Sequence, residues 1–477
     1  MERRAEKIAV ITEQGRRVTY RELHREIQYC INANEALEGD FIQSSSKRYS
    51  GRPLFLLVCD NSFENLVIYL SCLRCKLPVI LAGRQDENRL GELVKKFAVK
   101  YIWLPENRKI CFGKPSGKRY GHYLLYRNES MVKYLRAATD LALLLPTSGS
   151  EGDSKLVMLS YDNIAANTSS IIEALNIWQD DRAAIMLPLC YSYGLSVVHT
   201  HLQAGAALLI PKSSMATPQF WRFLDGEHVT SLAGVPSVYE LVRKLKILEG
   251  TYAFSQLRIM TQAGGALRLE TQKYLLECLK RWDRKIHFAI MYGQTEATAR
   301  ITSFFLEEHE TCLGSVGRVI PGGRLWIEGD GKQGEICYRG ANVFMGYAQD
   351  FKDLVSDVPS KGEEHVLHTG DTGYLDEEGY LYVTGRKSRF AKVNGYRIGL
   401  DGLQEEVSRT LGCQVFCVGR WLEEREKIIF CWTDYTISVS EFEKILWKDR
   451  RLVGGFVLRP LESFPLKENG KVDYSQL

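Results

Sequence analysis

From Thr147 to Lys155 the chain reads TSGSEGDSK, directly after the apolar run LALLL at Leu141 to Leu145. Thr147, Ser148 and Ser150 offer hydroxyls, and Gly149 and Gly152 let the backbone approach a ligand closely or take φ > 0. Glu151 lies among them, and Lys155 closes the stretch with a mobile positive charge. These are the parts of a polyphosphate cradle built from backbone N–H groups, hydroxyls and one ammonium. The segment is not the G-x-x-x-x-G-K-[ST] loop that opens a helix, because apolar LVML follows Lys155. It is expected to join two strands. Taken alone it leaves two readings open, a phosphate site and a plain solvated Ser/Gly loop.

Three further segments hold residues suited to the same ligand chemistry. In MYGQTEA, Tyr292 can stack on an aromatic base and Glu296 can hold Mg²⁺, which prefers hard oxygen ligands. Gly293, Gln294 and Thr295 lie between them. In HTGDTGYLDEEGYLYVTGRKSRFAKVNGYRI, Asp371 can accept hydrogen bonds from a diol, and Arg386 can pair with sugar or phosphate oxygens. In PLKENGKVDY, Asn469-Gly470 is a turn signal that presents Lys471. Singly, each has a bland equivalent: a strand end, a hairpin turn, an exposed lysine.

The elements that must position these residues alternate along the chain. Arg52 to Cys59 and Leu77 to Leu81 read as buried strands, and Asn61 to Cys75 and Glu87 to Phe97 as helices. Thr19 to Glu22 has capping-box spacing and opens another helix. AAIMLP, ALLIP, VTSLAG and LRIMTQAG are short strands, each followed by a helical segment. The fold class is therefore α/β, with stacked layers and largely parallel sheets whose ligands bind at the strands' carboxyl ends. After Cys312 come short strands with Gly-rich turns, expected to form a small β-barrel-like lobe or distorted antiparallel sheet. The last ~90 residues read as a small α+β domain. The expected division is 1–387 and 388–477, hinged at Lys387 to Arg389.

Bulk properties narrow the class. A net charge of +4 across 477 residues gives no electrostatic case for nucleic acid. A small basic surplus after Gly385 suits an anionic partner or a solvated face. Twelve scattered cysteines form no disulfide framework or paired zinc motif, which fits a reducing compartment. MERRAEKIAVITEQGRR lacks a signal-peptide apolar stretch, and no run reaches the ~18 residues of a membrane span. A cytoplasmic protein without a membrane span is expected.

The four segments in this order resemble the adenylate-forming superfamily: acyl-CoA synthetases, adenylation domains of nonribosomal peptide synthetases, and luciferase. The resemblance runs from Ala9 to Lys471. It implies that Thr147 to Lys155 bind the phosphates of ATP, and that Tyr292 to Glu296 contact adenine, α-phosphate and Mg²⁺. It implies ribose binding by Asp371 and Arg386, with Lys471 bridging the substrate carboxylate and the α-phosphate. QAGGALR resembles the stretch that places Gly264, Gly265 and Ala266 beside adenine and the acyl pocket. Tyr191, Ser192, Gly194, Gly234 and Gly265 would line the substrate. The implied enzyme is an acid–thiol ligase: it makes acyl-AMP from a small-molecule carboxylic acid and passes the acyl group to coenzyme A or a phosphopantetheine. No carrier sequence follows Lys471, so a separate acyl carrier protein is the possible protein partner. An amine acceptor and a non-catalytic nucleotide-binding relative are the competing readings. Ser154, Leu156 and Ser388 depart from the family pattern, as does Tyr191, where histidine is common. Ser192 stands where amino-acid-activating domains carry aspartate, and a buried ammonium without an anion is costly. The acid is therefore expected to lack an α-amino group.

Overall fold

The computed structural model describes residues 5–42, 52–83, 87–108, 110, 113–129, 140–146, 155–282, 285–329, 331–354, 365–387, 389–394, 396–422, 425–467 and 470–477. The expected phosphate residues Thr147, Ser148, Gly149, Ser150, Glu151 and Gly152, together with Ser154 and Ser388, lie outside them. The elements that matter for the site are β1 (Leu141–Pro146), β2 (Leu156–Ser160), α1 (Ser192–Ala204), β3 (Ser231–Gly234), β4 (Ile259–Gln262), β5 (His287–Tyr292), β6 (Thr302–Phe305), β7 (Gly346–Ala348), β8 (Val366–Leu375) and β9 (Leu381–Arg386).

Packing divides the chain into two compact units, residues 1–314, 319–324 and 339–367 in one, and 315–318, 325–338 and 368–477 in the other. The first unit holds two large sheets. One has a parallel core in the spatial order β5, β4, β3, Arg182–Ala184, Ala207–Ile210, Ile8–Thr12. Antiparallel β6 and Arg17–Thr19 flank it. The other sheet runs β7, β2, β1, Val79–Ala82, Phe55–Val58, Tyr101–Pro105, Tyr123–Arg127, Lys114–Tyr120. Its four middle strands, from β1 to Tyr101–Pro105, are parallel. Strands covered on both faces must be apolar throughout, and FLLV and VILA are fully buried. β1 and β2 are antiparallel neighbours, so the Ser/Gly-rich segment does join two strands.

Local sequence sets the helix ends. Thr19 and Glu22 exchange the hydrogen bonds of a capping box, as their spacing predicts. Ser160 and Asn163 do the same where β2 turns into helix Tyr161–Leu175. Gly205 ends α1 with a left-handed φ of 84°, where a side chain would be strained.

In the second unit, Arg324–Glu328, Gly334–Arg339, β8 and β9 form a four-stranded sheet. Val415–Leu422, Arg425–Trp432 and Phe456–Pro460 form a three-stranded one, packed with helices Leu400–Leu411 and Val439–Leu446 around Phe430, Trp432 and Phe442. By packing, the sheet that begins after Cys312 groups with the C-terminal residues.

Candidate active site

The first unit sets Gly234, Gly264 to Ala266 and Tyr292 to Glu296 at the carboxyl ends of adjacent parallel strands. Gly234 ends β3, opposite Gln262 at the end of β4. Gln262 in turn aligns with Ile290 near the end of β5. Gly264 to Ala266 follow β4, and Tyr292 to Glu296 follow from β5. This is where an open α/β sheet binds ligands. Gly264 has φ +89°, and the Gln262 amide donates to the Gly265 carbonyl at 2.8 Å, so the loop is held open-backed. At Gly234 a Cβ would press on Val238 and Tyr239, at 2.9 and 3.0 Å. At Gly194 a Cβ would lie 2.5 Å from the Pro188 carbonyl oxygen. Both glycines are required by packing.

The loop between β5 and β6 is drawn tight. The Ile301 N–H donates to the Tyr292 carbonyl at 2.9 Å, and a Cβ on Gly293 would sit 2.0 Å from the Ala299 carbonyl oxygen. Only glycine fits there. Thr298 takes φ 64°, a strained conformation for a β-branched residue, and its hydroxyl donates to the Asn342 carbonyl at 2.7 Å. The Asn342 amide donates to the carbonyls of Ala297 and Arg300, both at 3.0 Å. Asn167 adds a bond to the Arg300 carbonyl at 3.1 Å. The loop is therefore clamped from two sides.

Glu296 projects from this loop. Its carboxylate accepts from the Tyr347 hydroxyl at 2.8 Å, and the Lys155 ammonium stands 3.8 Å from the centre of the Tyr347 ring. Pairing of β7 with β2 sets Tyr347 opposite Val157, two residues beyond Lys155. Burial and the Glu296 charge push the Tyr347 phenol up, so it stays a donor. One carboxylate with its second oxygen left for a ligand fits Mg²⁺, which usually takes one or two protein carboxylates plus phosphate oxygens.

The expected acid-binding wall adjoins the same loop. Ser192, buried at the start of α1, shares a 3.3 Å hydroxyl hydrogen bond with Thr295. Burial pushes the Tyr191 phenol up to about 12, against the pull of the Arg300 charge. Tyr193 packs edge-on to Tyr191, and the Arg300 guanidinium lies 4.7 Å from the centre of the Tyr193 ring.

Within the second unit, β8 and β9 put Asp371 directly opposite Arg386. Arg386 Nε lies 3.0 Å from Asp371 Oδ1; the carboxylate is buried and the arginine half-exposed. A second carboxylate, Asp401, accepts from the Arg386 backbone N–H at 2.8 Å. Lys387 is paired with Glu335 at 2.7 Å, while the Arg389 guanidinium lies 4.0 Å from the centre of the Tyr474 ring. The Lys471 carbonyl accepts from the Lys467 N–H at 2.8 Å, and Gly470 takes φ +75°.

A family profile described as AMP-binding enzyme matches residues 1–348. The chain belongs to the AMP-binding enzyme family. Among its relatives is a 3-[(3aS,4S,7aS)-7a-methyl-1,5-dioxo-octahydro-1H-inden-4-yl]propanoyl:CoA ligase of Rhodococcus jostii, 25% identical over 70% of this chain and 64% of that one. Another is a 2-succinylbenzoate–CoA ligase of Bacillus cereus, 32% identical over 55% of this chain and 53% of that one. The matches thus span between about half and two thirds of these relatives' lengths. The o-succinylbenzoate CoA synthetase of Bacillus subtilis, solved with its acyl-adenylate intermediate, has the same fold: TM-score 0.76 at 20% identity, covering 99% of this chain and 96% of that one. ATP-bound MatB from Rhodopseudomonas palustris gives 0.73 at 20% identity, over 99% and 95%.

In this AMP-binding enzyme two further residues, Tyr347 and Arg300, join the site. Tyr347 is one of 24 tyrosines, and its strand carries no motif; only the β7–β2 pairing links it to Lys155. Arg300 stands four residues beyond Glu296, a spacing that could have marked it. Among the described residues no helix is long and apolar enough to cross a membrane.

Proposed function

We propose that the chain activates a carboxylic acid with ATP and transfers the acyl group to coenzyme A. The single observation that carries this reading is the grouping of Lys155, Tyr347 and Glu296 beside the glycine-lined strand ends. In the first step a carboxylate oxygen attacks the α-phosphorus of ATP; the bond to pyrophosphate breaks and acyl-AMP forms. Two anions must meet, so charge neutralisation and positioning supply most of the acceleration. Lys155 and Lys471 bring positive charge to the phosphates and the attacking carboxylate. Glu296 would hold Mg²⁺, which when bound neutralises phosphate oxygens; the Tyr347 hydroxyl orients that carboxylate. Tyr292 and Gly264 to Ala266 flank adenine, and Asp371, held by Arg386, accepts from the ribose hydroxyls. In the second step a thiol sulfur bonds to the acyl carbon and AMP leaves. Residues 388–477 act as a lid that presents Lys471 for the first step and withdraws it for the second.

Relatives named as CoA ligases favour coenzyme A over a carrier-protein phosphopantetheine. An acid without an α-amino group is favoured by Ser192, which brings no charge, and by the Arg300 cation near Tyr191, which would repel an ammonium. The test is ATP–pyrophosphate exchange across an acid library with Mg²⁺, followed by thioester formation with coenzyme A or carrier proteins. Exchange with carboxylic acids but not with glycine, D-alanine or phenylalanine, and thioester with coenzyme A, is expected. A protein that binds ATP yet exchanges with no acid defeats the proposal.

A further inference from the structure

Arg300 is 2% exposed, and the described residues give its guanidinium no carboxylate. Among the described residues its Nε and Nη1 are buried without a hydrogen-bond partner. A guanidinium stays charged even inside a protein, so this group cannot escape by losing a proton. The face of Tyr193 offsets part of the desolvation. It gives the Nε and Nη1 donors no acceptor oxygen, and none is found for them among the described residues. Tyr193 is itself occupied, its hydroxyl bonding to Thr261 Oγ1 at 2.7 Å and donating to the Thr261 carbonyl.

The position of this cation says which ligand it suits. Its main chain is fixed by Asn167 and Asn342, so the guanidinium is not a loosely held surface group folded inward. It lies beside Tyr191 and Tyr193, at the start of the helix whose Ser192 touches Thr295 of the nucleotide loop. That is the wall assigned to the acid. The Nε and Nη1 donors point to different edges of the guanidinium, and each can donate one charge-assisted hydrogen bond to an anionic oxygen.

We propose that Arg300 receives a second carboxylate of the acid, so that the substrate is a dicarboxylate activated at one end and held at the other. This rests on the acid-activating reading above. The reacting carboxylate is a separate group, because it must reach the α-phosphate with its charge attended by Lys471. Discrimination follows from the unpaired state: a monocarboxylate would leave the guanidinium buried and unanswered, and a site built for a polar partner rejects the analogue that lacks it.

ATP–pyrophosphate exchange with two matched series, pentanoate and hexanoate against glutarate and adipate, tests this in the wild type and in Arg300→Met and Arg300→Lys. The wild type is expected to favour a dicarboxylate by at least about tenfold in kcat/KM. Arg300→Met should lower the dicarboxylate values at least about tenfold more than the monocarboxylate values, and Arg300→Lys should restore part of the preference. A second arm reads thermal unfolding with AMP present. There glutarate or adipate should raise the midpoint of the wild type and not of Arg300→Met, and the same scans confirm that each variant folds. Exchange with monocarboxylates equal to that with dicarboxylates overturns the Arg300 assignment and leaves acid activation standing. So does a preference that survives Arg300→Met. No exchange with any acid overturns acid activation. In that case a dicarboxylate-dependent midpoint shift abolished by Arg300→Met still supports the anion site, and its absence overturns that as well.

Discussion

Two arginines reach into the interior of the first unit, and the fold treats them oppositely. Arg258 meets Asp181, whose side chain is fully buried. That carboxylate accepts from Arg258 Nε at 2.6 Å, from the Thr230 hydroxyl at 2.8 Å and from the Trp178 N–H at 2.9 Å. Every charge in that knot is answered from within the chain. Arg300 is more deeply buried and, among the described residues, has a tyrosine ring where Arg258 has an anion. A knot of the first kind holds elements together. A cation of the second kind is costly to the empty protein and makes sense where a ligand completes it.

The contrast can be broken most sharply at Asp181. Asp181→Ala leaves Arg258, Thr230 and Trp178 facing a void, and should lower the unfolding free energy by about 3–5 kcal/mol in denaturant titration. A loss under about 1 kcal/mol would mean that the closed knot holds nothing. Acid should act on the same unit through His199. Burial lowers its pKa from 6.5 to about 4, although its Nε2 lies 2.7 Å from the Tyr69 hydroxyl. The folded protein disfavours the proton, so this contribution is complete above about pH 6.5 and is lost as pH falls towards 4. It amounts to roughly 3 kcal/mol. His199→Gln should flatten the melting temperature across that window; an unchanged slope assigns the acid sensitivity to other groups.

Smaller effects separate stability from chemistry. Glu296→Gln should reduce pyrophosphate exchange by about a hundredfold or more while the unfolding midpoint stays in place. Tyr347→Phe keeps the ring beneath Lys155 and removes the donor to Glu296, for a several-fold loss, about 1 kcal/mol. Arg300→Met should change stability little, staying within about 1 kcal/mol of the wild type or above it in denaturant titration. A large destabilisation there would make Arg300 another structural knot and erase the contrast.

Much of this arrangement was legible in the residues themselves. Strands such as Phe55–Val58 are apolar because both faces are covered, so periodicity reveals them. Gly264, Gly293 and Gly470 stand where backbone conformation or close approach admits little else, so the motifs around them are readable. What stayed hidden depends on distant pairing. Tyr347 gains its role because β7 lies against β2, nearly two hundred residues earlier in the chain. Arg300 looks like any of the 62 basic residues until its burial is seen. The grouping of the four-stranded sheet with the C-terminal residues likewise follows from contacts, not from local pattern.

The tight turn from Tyr292 to Ile301 ties two duties to one short piece of backbone. Glu296 is proposed for the metal and phosphates; Arg300, four residues on, is proposed for the far end of the acid. With Asn342 gripping both Ala297 and Arg300, neither can shift without dragging its neighbour. Retuning such an enzyme towards a new acid should therefore proceed more readily through Tyr191, which precedes a separate helix, than through the turn that also serves the nucleotide.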